Sequence, residues 1–65
     1  MKDRAAKIQK IANDYELLAI DCEKKQARYP ELGLQKDAQK FREKSAQLSA
    51  EAKLAMFRED LEDLV

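Results

Sequence analysis

The sequence predicts an all-α fold, an antiparallel two-helix hairpin of coiled-coil-like character, and three observations lead to it. Pro30 and Gly33 are the one proline and the one glycine, and they fall near the middle of 65 residues. On either side of them, apolar residues alternate at spacings of three and four, the period of one helix face. The composition, 45% hydrophobic and 40% charged, is that of long helices rather than of a disordered chain.

The first helix is expected over about residues 2–28. Ile8, Ile11, Tyr15, Leu18 and Cys22 return to one face, flanked by Ala5, Ala12 and Ala19. It ends near Arg28 because Pro30 lacks a backbone donor and turns Tyr29 away from helical geometry. A loop over 29–33 has the length that joins antiparallel neighbours, and Pro30 is also suited to open a short turn. The second helix, over about 34–63, repeats the spacing with Leu34, Ala38, Phe41, Ser45, Leu48, Ala52 and Ala55. The 65 residues read as one helical-hairpin domain. Two helices enclose no interior, so completion is expected from dimerisation into a four-helix bundle or from a partner protein.

Folding at the loop is expected to set Ile8 near Ala52, Tyr15 near Ser45 and Cys22 near Ala38, large side chains against small ones. The charges favour the same antiparallel orientation. Lys2, Arg4, Lys7 and Lys10 lie at a helix N-terminus and Glu59, Asp60, Glu62 and Asp63 at a C-terminus, each set against the helix dipole. Antiparallel packing brings the two sets together. It also turns Asp14, Glu16, Asp21 and Glu23 towards Lys36, Lys40, Arg42 and Lys44.

Residues that this seam cannot use are the candidates for function. Phe57 is nine positions from Leu48, which at 100° per residue puts it on the opposite side of the helix. Leu54, Leu61 and Leu64 share its side, with Ala46 and Ala50 beside them. On the first helix, Ile20 lies opposite Ile11, with Leu17 one turn back. The predicted protein interface is therefore Leu17, Ile20, Ala50, Leu54, Phe57, Leu61 and Leu64. Leu61, Leu64 and Val65 are expected to extend past the level of Met1, which pairs in height with about Glu59.

Other function classes find little support. The chain holds no His, no Gly-rich phosphate loop and no Cys-x-x-Cys, so neither an enzyme nor a bound cofactor is expected. Cys22 reads as a small buried thiol, since no base accompanies it in the pattern. Glu59, Asp60, Glu62 and Asp63 lack the loop spacing of a hard-cation site and read as a solvated acidic end, so no metal is expected. Thirteen basic residues balance thirteen acidic ones, which leaves no net field to attract nucleic acid. Lys36, Lys40 and Lys44 form a short basic row, but Asp37 and Glu43 interrupt it and no aromatic residues interleave for stacking. No apolar run reaches the ~20 residues a membrane span needs, and no signal-like segment follows Met1, so a cytoplasmic protein is expected.

The expectation is a small non-catalytic interaction module, a homodimeric hairpin that buries Leu54, Phe57, Leu61 and Leu64, with Leu17 and Ile20, in a four-helix bundle and regulates or scaffolds a protein partner. Its partners are a protein, a second copy of itself, or both, with no nucleic acid, membrane or small-molecule substrate. The alternative is a monomeric adaptor, co-chaperone or phage-type inhibitor that binds a host or secretion protein through Leu54, Phe57, Leu61 and Leu64.

Overall fold

In the computed structural model, which describes residues 3–64, two helices pack against each other along their length. Helix α1 runs Asp3–Arg28 and helix α2 runs Gln35–Asp63, joined by a 3-10 turn over Pro30–Leu32. The Cα trace measures 55 × 14 × 10 Å, a rod one helix thick and two wide. Met1, Lys2 and Val65 lie outside the described residues, and with them the expectations placed on Met1, on Lys2 in the basic end and on the Val65 overhang.

The turn follows from its residues. Pro30 opens the 3-10 segment, where its fixed φ fits and its missing donor costs nothing. Gly33 takes the left-handed conformation, φ 63 and ψ 42, that reverses the chain, and its N–H reaches the Pro30 carbonyl at 3.3 Å. Leu34 has no side-chain oxygen with which to cap α2. The Gln26 carboxamide supplies the missing contacts from across the turn: Oε1 accepts from the Leu34 N–H at 2.5 Å, and Nε2 donates to the Pro30 carbonyl at 3.1 Å.

The seam is built from the smallest residues. Ala5, Ala12 and Ala19 on α1 and Ala38 and Ala52 on α2 are buried, between 0% and 4% exposed. They recur every seventh residue or multiple of it, the repeat that keeps one line of a helix on its neighbour. Ser45 holds the α2 position between the two alanines, and its hydroxyl donates to the Ala12 carbonyl at 2.8 Å. A methyl or hydroxymethyl group lets the backbones come close. No large side chain among the described residues is fully buried.

This corrects the expected α1 stripe. Its centre is Ala5, Ala12 and Ala19, while Ile8, Tyr15 and Cys22 are half-buried along one edge. Ile11 and Leu18 lie one position further round and are 47% and 46% exposed. The reason is size: only alanine fits where the helix axes approach, so the larger residues turn to the side. The Tyr15 ring stacks on Phe41 at 6.0 Å between centroids, large against large beside the alanine line.

The helices run antiparallel, as Gln9 with Ser49 and Ala12 with Ser45 near one end and Glu23 with Arg42 near the turn show. Of the expected acidic-to-basic contacts between helices, Glu23 and Arg42 form the one ion pair among the described residues, a bidentate contact at 2.5 and 2.6 Å. Asp21 pairs instead within its own helix, with Lys25 at 2.9 Å.

Candidate protein-interaction surface

The hairpin has two unlike long faces, one on each side of the alanine line. Ile8, Tyr15 and Cys22 of α1 share a face with Leu34, Phe41, Leu48 and Ala55 of α2, all half-buried. Ile11 and Leu18 extend this apolar face outward on α1. The opposite face carries the polar contacts between the helices. Gln9 donates to Asn13 at 3.0 Å and to the Ser49 hydroxyl at 3.5 Å, and further along Glu23 grips Arg42.

The Glu23–Arg42 pair has a visible electrostatic signature. Hydrogen bonding from the Arg42 guanidinium holds the Glu23 carboxyl below its ordinary range, opposed by slight desolvation and helped by the guanidinium charge. Arg42 is raised reciprocally by the hydrogen bond and charge of Glu23. Lys25 is raised by Asp21 in the same manner. These groups are solvent-exposed, so they orient the helices more than they stabilise them.

A third apolar surface lies on the back of α2. Leu54, Phe57, Leu61 and Leu64 are 57%, 62%, 48% and 83% exposed, a stripe along α2 whose first member, Leu54, also borders Arg4 and Ile8 of α1. Ala50 is exposed beside it. On α1, Leu17 is 64% exposed but Ile20 is half-buried, and neither lies on the helix that carries the stripe. The seven candidate interface residues thus divide into a compact α2 set and two separate α1 positions. Ile11, Leu18 and Met56, exposed at 46–47%, were not among the candidates. The signal for the first two was present: alanine at positions 5, 12 and 19 marks the line of closest approach and places Ile11 and Leu18 beside it.

Where the apolar face meets the free ends of the helices, Arg4, Ile8, Glu51, Leu54, Ala55, Arg58, Glu59 and Glu62 line an open depression of about 400 Å³. Glu59 Oε2 is shielded from solvent there without a hydrogen-bond partner among the described residues. No group of three or more His, Cys, Asp or Glu among the described residues is arranged to hold a metal ion. No helix among them is long and apolar enough to cross a membrane. Cys22 is a half-buried free thiol on the apolar face.

No protein-family model matches the chain, and comparison with curated proteins and with solved structures finds no match.

Proposed function

We propose that this protein is a non-catalytic protein–protein interaction module, a homodimeric hairpin that regulates or scaffolds another protein. One observation carries the reading: among the described residues the buried core is five alanines, while Ile11, Leu17, Leu18, Leu54, Phe57 and Leu61 remain about half exposed or more. An alanine side chain buries little apolar area, so the seam alone contributes a small part of what a chain this size needs to fold. Further burial against protein supplies the rest. The stripe Leu54, Phe57, Leu61 and Leu64 is the surface assigned to the regulated partner, as an amphipathic helix face that seats in an apolar groove.

Sedimentation equilibrium on the purified chain tests the homodimer. A dimer is the expected result; a monomer at all concentrations sinks it and leaves the adaptor reading, in which the stripe alone recruits a partner. The Phe57→Glu, Leu61→Glu double variant tests the stripe. It is expected to keep its helicity and to lose a partner that the unaltered chain captures, and retention of that partner removes the stripe from the proposal.

A further inference from the structure

We infer that the second copy docks on the broad apolar face of Ile8, Ile11, Tyr15, Phe41 and Leu48, reversed end for end, with the turns of the two copies at opposite ends. The inference rests on the homodimer reading above and assigns its surface, which is not the Leu54 to Leu64 stripe.

The rim of this face carries the evidence for its occupant. Along its α2 edge, Asp37, Lys44, Glu51 and Arg58 follow one another at seven-residue intervals, all exposed, with charges alternating acidic, basic, acidic, basic. Such a row read backwards is its own complement. A two-fold axis perpendicular to the helices, passing close to Leu48, sets Lys44 against the partner's Glu51 and Asp37 against the partner's Arg58, and each of these again by symmetry. The same axis must cross α1 at the same height. Gln9 lies beside Ser49 and Ala12 beside Ser45, so the axis crosses α1 near residue 10, about one residue from Ile11, the most exposed apolar residue of the face. Ile11 then meets its own copy, Ile8 meets the partner's Tyr15, and Phe41 meets the partner's Ala55. Arg4 and Lys25 do not meet, because Lys25 falls beyond the overlap.

The area is of the right size. With helices about 10 Å wide and 1.5 Å of rise per residue, the α2 pair overlaps over about 39 Å and the α1 pair over about 25 Å, roughly 640 Å² per copy. A stable interface buries about 600–1,000 Å² on each side. The opposite arrangement, with both turns at one end, lays α1 over the partner's α2 and sets Lys44 against the partner's Ile11 and Leu18, so the alternating α2 row no longer meets its own complement.

The test is sedimentation equilibrium at low salt on the full chain and four variants, with circular dichroism on each. Ile11→Glu sets two carboxylates together on the axis and is expected to raise the dimer dissociation constant at least ~100-fold. Phe57→Glu with Leu61→Glu is expected to leave dimerisation unchanged. Lys44→Glu is expected to weaken the dimer roughly tenfold by opposing the partner's Glu51 at two symmetric places, and adding Glu51→Lys to restore it. A monomeric unaltered chain overturns the homodimer reading itself. A dimer that survives Ile11→Glu but is split by the stripe variant overturns only this face. Should Ile11→Glu lose helicity, the charge pair decides: no weakening by Lys44→Glu, or no rescue by Glu51→Lys, overturns the reversed docking.

Discussion

Gln26 does work at the turn that its residue type does not advertise. Its carboxamide spans the reversal, accepting from the Leu34 N–H and donating to the Pro30 carbonyl. A hydrogen bond contributes about 0.5–1.5 kcal/mol net. Gln26→Ala is therefore expected to cost about 1–2 kcal/mol, read as a lower midpoint in urea, with the helices otherwise intact. Glu23 and Arg42 make a second residue-scale prediction. The Glu23 carboxyl is held below its ordinary range by the Arg42 hydrogen bond, so the pair's contribution is complete above the unfolded carboxylate pKa and is lost as pH falls through the lower folded value. In Arg42→Gln, an NMR titration of Glu23 is expected to return to the ordinary carboxylate range. The stability difference from the unaltered chain is expected to shrink under acid and to be greatest near neutral pH. An unchanged Glu23 titration contradicts the pairing.

At the scale of the helix, the alanine line sets how closely α1 and α2 approach. Ala12 is 0% exposed, and its carbonyl also receives the Ser45 hydroxyl. Ala12→Leu introduces a branched side chain where the axes are nearest, and overpacking of this kind costs about 1–3 kcal/mol. The same substitution raises apolar content and keeps helix propensity, so propensity alone predicts no loss. Thermal unfolding separates the two: a fall in the midpoint supports the close approach, and no change or a rise contradicts it. The helices themselves were legible in the sequence, since Pro30 and Gly33 break a pattern that is otherwise continuous at 3.6 residues per turn. Which stripe faced inward was less so. Ile11 and Leu18 fit the periodicity as well as Ala12 and Ala19 do, and hydrophobicity ranks the larger residues as the core; sterics at the seam reversed that ranking.

For the whole molecule, a rod of 55 × 14 × 10 Å buries alanines along its seam and leaves its larger apolar side chains, among the described residues, half-buried or exposed. If association completes the fold, unfolding becomes a function of protein concentration by mass action. The midpoint is expected to rise over a hundredfold increase in concentration, and a midpoint independent of concentration contradicts the dimer. The outward stripe of Leu54, Phe57, Leu61 and Leu64 was legible beforehand, because a helix of known phase must turn one side away from its neighbour. The amino-acid order by itself determined the two helices, their break and their antiparallel sense, all consequences of local geometry and charge. Only the tertiary structure decided that alanines, and not isoleucine and leucine, meet across the seam. The distance between two helix axes is set by all contacting side chains at once, and that distance determines which residues remain on the face that is left open.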